Sequence, residues 1–426
     1  MALAPMSLPY PVWIEWLVAI ATPLQLQLSL VGGAVRDQLL GQALPLKDLD
    51  LVVEGPASWP ALVLAEAIVA AAAASQLPLG YQLLQCTPYS NYGTARLQLH
   101  TNGGLLFCDL SSARSENYGF PGDHPSVESA NLQIDLQRRD FSINALAMRL
   151  PNLELLDLFG GRKDLAAKQL QLLHSGSLRD DPTRLIRAVR YGARFDLQWA
   201  PASWEQASVM LNSWPWPQGA PALGARLRME LELLFAETNW RGAFLLLEQW
   251  RGLELLQRGW RRLPRGSARF LSRFGRWGAA LEPAFTAADL RLFALIDLAP
   301  GAAADKQAIA ERLQIPQRLW ELLGQVAELR QWLQRERPSN SWRPSQWTAA
   351  LEQPGNGGQP LAVLLVLLQP GEPAKYHLLR WLLRWRLQRP AIGGKELLAL
   401  GYQPGPELGK RLWQERAKEI DKNDKK

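Results

Sequence analysis

The chain has 426 residues, a length sufficient for two to four domains, and 47% of them are hydrophobic. Its most apolar N-terminal stretch, Val12 to Ala21, includes Glu15 and is too short to span a bilayer, and no basic segment or cleavage pattern precedes it. We therefore expect a cytoplasmic protein with no membrane partner, which argues against transporters and exported proteins.

The formal net charge of +7 is unevenly distributed along the chain. Residues 1–150 contain seven Lys and Arg against twelve Asp and Glu, a net charge of −5, whereas residues 151–426 contain forty against twenty-eight, a net charge of +12. Fifteen of the eighteen tryptophans also lie in the second segment. A basic segment rich in aromatic residues suits a polyanionic partner, although we expect most of these tryptophans to pack in a helical core.

Alternation of apolar and polar residues, together with turn residues, predicts an α+β region at the start of the chain. The predicted strands are Leu26–Val31, Leu49–Val53, Tyr81–Cys86, Thr94–His100 and Leu105–Leu110, and the predicted helices are Ala34–Leu40 and Pro60–Ala74. Cys86 and Cys108 fall on two of these strands without metal-ligand spacing, so we expect reduced, buried thiols.

A turn-rich segment follows at 111–131, and from Ile134 onward the pattern is helical apart from a short strand near 153–157. The charged end of the chain, from Glu415, is expected to fray. These patterns predict an α+β head, at 1–150, followed by an all-helical body.

Two aspartates and a glycine pair form the first candidate site. Asp48 and Asp50 are two residues apart on a predicted strand, so their side chains point to the same face. Mg²⁺ is usually held by one or two carboxylates together with substrate phosphates, and it would neutralise this pair of like charges. Gly32 and Gly33 end a strand and open a helix, where backbone N–H groups attract phosphate. Together these residues predict a site for a metal-bound nucleoside triphosphate.

Asp109, at the end of the strand Leu105–Leu110, is a third candidate carboxylate. Two-metal phosphoryl transfer uses such a trio, in which a carboxylate also helps to deprotonate the attacking hydroxyl. This interpretation depends on the presence of Asp48 and Asp50, because a single aspartate at a strand end is ordinarily a structural residue.

Polar residues crowd the segment 135–145, at the start of a predicted apolar helix. Arg138 and Arg139 suit bidentate contacts to phosphates. Asp140 or Asn144 either contacts ribose hydroxyls or caps the helix. A salt-bridged helix start without a ligand is the alternative interpretation.

The segment 179–195 predicts a helix that starts at Asp181 and Pro182, with the aspartate as its N-cap. Asp181 and Arg184 adjoin on one helix face. An acceptor beside a donor matches the amino group and ring nitrogen that cytosine and adenine share, and it mismatches uracil and guanine. Arg187 and Arg190 continue along the helix, where they either reach the triphosphate or balance charge.

Four of these segments, taken together, closely resemble a known family. Gly-Gly-Ala-Val-Arg-Asp at 32–37, Asp-Leu-Asp at 48–50, Arg-Arg-Asp-Phe-Ser-Ile-Asn-Ala at 138–145 and Asp-Asp-Pro-Thr-Arg-Leu-Ile-Arg-Ala-Val-Arg at 180–190 are similar to successive motifs of class II tRNA nucleotidyltransferases and bacterial poly(A) polymerases. Order and spacing agree from about residue 28 to residue 237, and weaker agreement follows at 225–231 and 393–410. Asp180, Ser142 and Ala225 stand where Glu, Thr and Glu are usual in the family.

The resemblance implies a polymerase-beta-like nucleotidyltransferase head at 1–150, followed by an all-α neck at 151–240 and an all-α body and tail at 241–426. It implies that Asp48 and Asp50 hold Mg²⁺ and that Asp109 matches a carboxylate on the strand after this pair. The nucleotide-binding residues that we predict on this basis are Gly32, Gly33, Arg36, Arg138, Arg139, Asp140, Asn144, Asp181, Arg184, Arg187 and Arg190.

The activity that the resemblance implies is template-independent addition of CMP and AMP, from CTP and ATP, to tRNA 3′ ends. Three alternatives stay open at this point. They are addition of CC only or A only, poly(A) synthesis on other RNA 3′ ends, and RNA binding without catalysis.

The RNA partner is expected on the basic helical body. The stretch Arg258–Trp277 contains seven arginines, four aromatic residues and no acidic residue. We expect Trp260, Phe270 and Phe274 to lie in the core and the arginines to need an anionic partner. The predicted RNA contacts are Arg258, Arg261, Arg262, Arg265, Lys395 and Lys410.

Overall fold

The computed structural model describes residues 9–41, 48–214, 223–338, 341–369 and 371–424. It divides into two compact units, Met1–Leu223 and Gly224–Lys426. The boundary between the units falls inside the predicted neck, and the division into head, neck and body stays a prediction.

The first unit combines helices and strands. Its strands are β1 (Gln27–Val31), β2 (Asp48–Glu54), β3 (Tyr81–Tyr89), β4 (Thr94–Thr101), β5 (Gly104–Ser112), β6 (Arg114–Asn117), β7 (Ser126–Ser129), β8 (Ala147–Arg149), β9 (Glu154–Leu156), β10 (Gln169–Leu170) and β11 (Gln198–Trp199). Its helices are α1 (Pro11–Ala21), α2 (Gly33–Leu39), α3 (Pro60–Ala73), α4 (Leu132–Gln137), α5 (Gly161–Ala166), α6 (Ser177–Asp180), α7 (Arg184–Phe195) and α8 (Pro201–Ser213).

A seven-stranded sheet forms the centre of the first unit, in the order β3-β4-β5-β2-β1-β8-β9. β2 and β5 are parallel, and the other neighbouring strands are antiparallel. Alternation explains the strands: in β4, Ala95, Leu97 and Leu99 are buried while the residues between them are not. The strands and helices predicted before residue 111 are confirmed, with small shifts at their ends.

The helical pattern predicted beyond Ile134 is wrong for part of the first unit. Residues Ala147–Arg149 form β8, in which Met148 pairs with Leu30 of β1. A short apolar run does not distinguish a helix from a buried strand, and here the neighbouring strand decided the outcome. The turn-rich segment likewise contains a hairpin of β6 and β7, in which Arg114 lies opposite Ser129.

One apolar cluster links the polar segment at 135–145 to the sheet. Val31 at the end of β1 and Val52 of β2 pack with Leu132 and Leu136 of α4 and with Ala145. This burial holds the segment against the strands that carry the glycine turn and the aspartates.

In the described residues from 223 onward, the regular elements are helical. They are α9 (Leu223–Ala236), α10 (Trp240–Gln249), α11 (Ser267–Leu281), α12 (Ala287–Asp297), α13 (Ala303–Arg312), α14 (Gln317–Glu336), α15 (Pro344–Leu351), α16 (Pro360–Leu368), α17 (Lys375–Leu383), α18 (Gly394–Ala399) and α19 (Pro406–Asn423), with short 3-10 turns between some of them. α16 is buried along its length, from Leu361 to Leu367, and packs against α11, α14 and α17. No described helix is long and apolar enough to cross a membrane.

The fraying expected from Glu415 onward is wrong for the described residues, which extend to Asp424. The charged segment from Glu415 belongs to α19, and Asp424 just beyond that helix is held by other side chains. The indole N–H of Trp385 donates to Asp424 at 2.9 Å, and Nε of Arg380 lies 3.0 Å from the same carboxylate. Contacts from distant residues, which composition does not reveal, order this end.

Candidate active site

The three candidate carboxylates lie on adjacent strands of the sheet. Asp48 and Asp50 are on β2, and Asp50 is in register with Asp109 on the parallel strand β5. Residues two apart on one strand share a face, and so do residues in register on neighbouring strands. The fold therefore brings the three carboxylates to one face of the sheet.

Arg96 adds a cation to this row of carboxylates. It lies opposite Asp109 on β4, and its Nε and Nη2 donate hydrogen bonds of 2.7 and 2.6 Å to the two oxygens of Asp109. Burial raises the pKa of Asp50, and the negative charges of Asp109 and Asp48 add to this effect, against the opposing influence of Arg139 and Arg96. Burial and the two neighbouring carboxylates therefore disfavour the ionised form of Asp50 more than the two arginines favour it.

The donor set of this face fits a hard divalent cation. Arg96 holds both oxygens of Asp109, which leaves Asp48 and Asp50 as the carboxylates for an ion. Among the described residues, no three His, Cys, Asp or Glu side chains converge closely enough to hold a metal by themselves. Mg²⁺ suits such a site, because it often takes only one or two carboxylates and completes its shell with water and phosphate oxygens.

The Gly32–Gly33 turn connects β1 to α2. Gly32 has φ +67°, a conformation that residues with side chains rarely adopt, and its N–H donates to the carbonyl of Leu146 at 3.1 Å. A Cβ at Gly32 would lie 3.2 Å from Nη1 of Arg139. Both the backbone geometry and the nearby guanidinium therefore favour glycine, and Arg139 lies beside the turn that is predicted to receive phosphate.

A chain of hydrogen bonds joins α2 to α7 through the residues after α4. Arg36 donates from Nε to Asp37 at 2.8 Å and from Nη1 to Asn144. Asn144 donates to Oδ1 of Asp140 at 2.9 Å, and Nε of Arg187 donates to Oδ2 of Asp140 at 2.7 Å. Burial favours a higher pKa for Asp140, but Arg187 and the hydrogen bond from Asn144 outweigh it and lower the pKa. Asp140 is thus a buried anion that fixes two predicted nucleotide-binding side chains.

Asp135 fixes the arginine pair in the same way. Its fully buried carboxylate accepts hydrogen bonds from Nε and Nη2 of Arg138 at 3.0 and 2.6 Å and from Nη2 of Arg139 at 3.0 Å. Glu116 of β6 accepts from Nη1 of Arg138 at 2.7 Å. Burial favours a higher pKa for Asp135, but Arg139 and Arg138 outweigh it and lower the pKa. The arginines are therefore salt-bridged, as the alternative interpretation anticipated, and these bonds orient their guanidinium groups.

The predicted base-reading pair lies at the start of α7. Asp181 accepts hydrogen bonds from the backbone N–H and the hydroxyl of Thr183 at 3.1 and 2.7 Å. The predicted helix start is wrong by about two residues, because α7 begins at Arg184 with Thr183 as its N-cap. Arg184 is buried and donates to the hydroxyl of Ser177 and, at 2.8 Å, to the carbonyl of Arg138. The fold thus connects the base-reading pair to the arginine pair.

Tyr191 of α7 has the guanidinium groups of Arg187 and Arg36 near its ring. Arg187 donates from Nη2 to the hydroxyl of Tyr191 at 2.9 Å, and the guanidinium carbon of Arg36 lies 5.2 Å from the centre of the same ring. Arg190 lies half-buried on α7, one turn after Arg187. Its contact with nucleotide stays a prediction.

The predicted RNA contacts of the second unit are exposed. These residues are Arg258, Arg261, Arg262, Arg265, Lys395 and Lys410. Arg261 has an acidic partner, because its Nε donates to buried Glu254 at 3.0 Å, so the expectation that all these arginines need an external anion is wrong at this position. Trp260 and Phe274 are buried as expected, and Phe270 is half-buried.

Three site residues were missed by the sequence interpretation: Arg96, Glu116 and Asp135. Asp135 had a signal, since it stands three and four residues before Arg138 and Arg139 on a helical pattern. Arg96 and Glu116 had none, because strand register and a hairpin bring them to their partners.

The chain is similar in sequence to known proteins. Residues 28–171 match the model of the Poly A polymerase head domain. The CC-adding tRNA nucleotidyltransferase of Deinococcus radiodurans is 34% identical over 416 residues, which cover 94% of this chain and 86% of that protein. The chain belongs to the tRNA nucleotidyltransferase family. The predicted family and enzyme class are thereby confirmed.

Other relatives in the tRNA nucleotidyltransferase family match over a shorter span. The A-adding tRNA nucleotidyltransferase of Halalkalibacterium halodurans is 37% identical over 54% of this chain and 49% of its own length. The multifunctional CCA protein of Nitrosococcus oceani is 33% identical over 52% of this chain and 48% of its own length. The chain thus spans about half the length of these two relatives.

Solved structures share the fold. A CCA-adding enzyme in its apo form II has a TM-score of 0.69 at 23% identity, covering 98% of this chain and 93% of that one. The Thermotoga maritima CCA-adding enzyme complexed with tRNA_CCA has a TM-score of 0.65 at 24% identity, covering 96% and 90%. An α+β head followed by a mostly helical remainder is therefore confirmed as the fold class.

Proposed function

We propose that this tRNA nucleotidyltransferase adds CMP from CTP to tRNA 3′ ends, using Mg²⁺ held by Asp48 and Asp50, in the cytoplasm. The observation that carries the proposal is the row of Asp48, Asp50 and Asp109 on one face of the sheet. CMP is favoured because the relative that aligns with 94% of the chain is a CC-adding enzyme, whereas the A-adding relative from Halalkalibacterium halodurans aligns with 54%.

The reaction is a nucleotidyl transfer. The 3′-hydroxyl oxygen of the RNA forms a bond to the α-phosphorus of CTP. The bond between that phosphorus and the oxygen that bridges it to the β-phosphate breaks. Pyrophosphate leaves, and the hydroxyl proton passes to solvent. Bound Mg²⁺ supplies charge neutralisation for the triphosphate. Asp48 and Asp50 hold the ion, and Arg139, oriented by Asp135 beside Gly32, offers a further cation to phosphate.

Base choice is assigned to Asp181 and Arg184 at the start of α7. An acceptor and a donor in this position match the amino group and ring nitrogen of cytosine, and each well-formed pair contributes about 1–3 kcal/mol of discrimination. The bonds of Arg184 to Ser177 and to the carbonyl of Arg138 support this role, because they hold its guanidinium in a fixed direction.

CCA addition is the second candidate. Adenine presents the same amino group and ring nitrogen as cytosine, so the pair at the start of α7 is compatible with ATP as well as CTP. A poly(A) polymerase would also use this pair, but on RNA ends in general.

The test is incubation of the full chain with three tRNA transcripts, ending before CCA, after the first C and after CC. CTP should extend the first two, and ATP should leave the third unchanged. Extension of the third transcript by ATP would show that the proposed activity is CCA addition and not CC addition. Adenylation of an unrelated RNA would favour poly(A) synthesis. If no transcript is extended under any condition with Mg²⁺, the proposal that the chain catalyses nucleotide addition is wrong, and RNA binding without catalysis is favoured.

A further inference from the structure

We propose that Trp277 and the arginines beside it on α11 form a platform on which an unpaired RNA base stacks while its flanking phosphates bind the arginines. This inference rests on the proposed function, because it takes the tRNA substrate as the occupant. The surface concerned, called here the α11 arginine face, consists of Arg269, Arg273, Arg276 and Trp277.

The orientation of α11 is set by its buried side. Leu271 and Phe274 are fully buried. Gly275 and Gly278 on the same side of α11 allow neighbouring residues to approach the helix closely. A Cβ at Gly275 would lie 2.9 Å from the carbonyl oxygen of Ala287, and one at Gly278 would lie 2.6 Å from Cδ1 of Leu290. These close contacts fix which side of α11 is buried and leave the opposite side exposed.

The opposite side carries a row of cations. Positions 269, 273 and 276 follow the spacing of four and three residues that places side chains on one helix face. No Asp or Glu occurs from Ser267 to Leu281, and within the described part of the chain none of these three arginines has a carboxylate partner. Arg241 of α10 adds a guanidinium, since its Nη2 donates to the hydroxyl of Ser272 at 2.7 Å. Such a row complements a polyanion.

Trp277 supplies an apolar surface within this row. Trp277 is 40% exposed, and the guanidinium carbons of Arg273 and Arg276 lie over its ring, 5.7 and 5.8 Å from the ring centre. These distances are within the range of cation–π interactions, so both arginines already interact with the ring. The exposed part of the ring is the surface offered to a base, and the two guanidinium groups beside it are offered to the neighbouring phosphates.

RNA is the occupant that this combination fits. Proteins that bind single-stranded nucleic acid combine a cationic path with exposed aromatic rings, and a stacked base contributes about 1–3 kcal/mol. The loop before α11 continues the cationic path with exposed Arg262 and Arg265. An acidic protein partner would also meet the arginines, but it would not require an aromatic ring between them.

The experiment measures the affinity of the full chain for a tRNA transcript that lacks CCA, at salt concentrations from about 50 to 300 mM. Trp277→Ala should weaken binding about tenfold at every salt concentration, without changing the slope of log affinity against log salt. Trp277→Phe should retain most of the affinity, because it keeps an aromatic face. Arg273→Gln with Arg276→Gln should lower the slope by about two units.

Trp320→Ala is the matched control. Trp320 on α14 is 37% exposed, close to the value for Trp277, and it lies outside the α11 arginine face. Its loss should leave affinity unchanged. Wild-type affinity in Trp277→Ala, an equal loss in Trp320→Ala, or a loss in Trp277→Phe as large as in Trp277→Ala would overturn the platform.

The proposed function is tested separately in the same preparations. CMP addition by the wild type, together with unchanged tRNA binding by Trp277→Ala, would reject the platform alone. Weaker binding by Trp277→Ala in a chain that adds no nucleotide would reject the proposed function and keep the platform.

Discussion

Arginines are held in opposite ways in two regions of this protein. In the candidate active site, four guanidinium groups donate to carboxylates at 3.0 Å or less, namely those of Arg36, Arg138, Arg139 and Arg187. On the α11 arginine face the guanidinium groups have no carboxylate partner among the described residues. The first arrangement fixes cations in direction and suits one small ligand, whereas the second leaves charge for a long polyanion.

This difference in arginine pairing distinguishes the two sites, but it does not distinguish the first unit from the second. In the second unit, buried Asp297 accepts hydrogen bonds of 2.7 Å from both terminal nitrogens of Arg330, and Gln369 donates to it at 3.0 Å. Arg330, which is half-buried in the helical unit, is thus paired with a buried carboxylate. The unpaired group on α11 is therefore a local feature of that surface.

The largest effect is expected at the metal site. Asp48→Ala or Asp50→Ala should reduce nucleotide addition by about a thousandfold or more, because metal stabilisation of a transferring phosphoryl group is typically several kcal/mol. The measurement is single-turnover CMP addition at saturating Mg²⁺. Asp196→Ala is the control, since that carboxylate is largely exposed and pairs with Lys168, outside the candidate active site. Near-wild-type turnover in either aspartate variant would remove the metal assignment.

Asp135→Asn tests whether the paired arginines depend on their buried anion. The change removes the carboxylate that Arg139 pairs with and leaves Arg138 with Glu116 alone, and it should lower the free energy of unfolding by about 3 kcal/mol. Because the folded-state pKa of Asp135 is lowered, its stabilisation is present above the unfolded pKa of about 4 and is lost as pH falls below that value.

Urea unfolding of the wild type and Asp135→Asn at several pH values measures this effect. The difference between the two proteins should be largest near neutral pH and should shrink in acid. A difference that does not change with pH would show that the Asp135 charge contributes nothing to the stability of the fold.

Arg184→Ala tests base choice. CTP use should fall relative to UTP use, so that discrimination against UTP drops about tenfold or more, in line with about 1–3 kcal/mol per base pair contact. The ratio of kcat/KM for CTP to that for UTP is the readout, because a general loss of stability cancels in a ratio. An unchanged ratio would mean that the base is read by other residues.

The smallest effect is expected on the loop before α11. Arg262→Gln with Arg265→Gln should lower the salt slope of tRNA affinity by about two units, one for each phosphate contact. Adding Arg261→Gln should change the slope little, because Arg261 already pairs with Glu254. Arg335→Gln, at an exposed position paired with Glu336, is the control. An unchanged slope in the double variant would place the RNA on another surface.

Local sequence pattern predicted the elements of the α+β region well. Strand β4 and the end of β5 follow from alternation, and Asp48 and Asp50 share a face because they are two residues apart on a strand. β8 was missed because a strand of three residues is too short to show a periodicity. Its identity depends on pairing with β1, which lies more than a hundred residues earlier.

The sequence by itself indicated the family, the candidate carboxylates and the order of the motifs, because each motif consists of residues close together in the chain. The tertiary structure alone decided which charges are neutralised. Arg96 reaches Asp109 through strand register, and Glu254 reaches Arg261 through a turn after α10. Electrostatic pairing depends on distance in space, so a sequence can show where charges occur but not which of them remain for substrate and RNA.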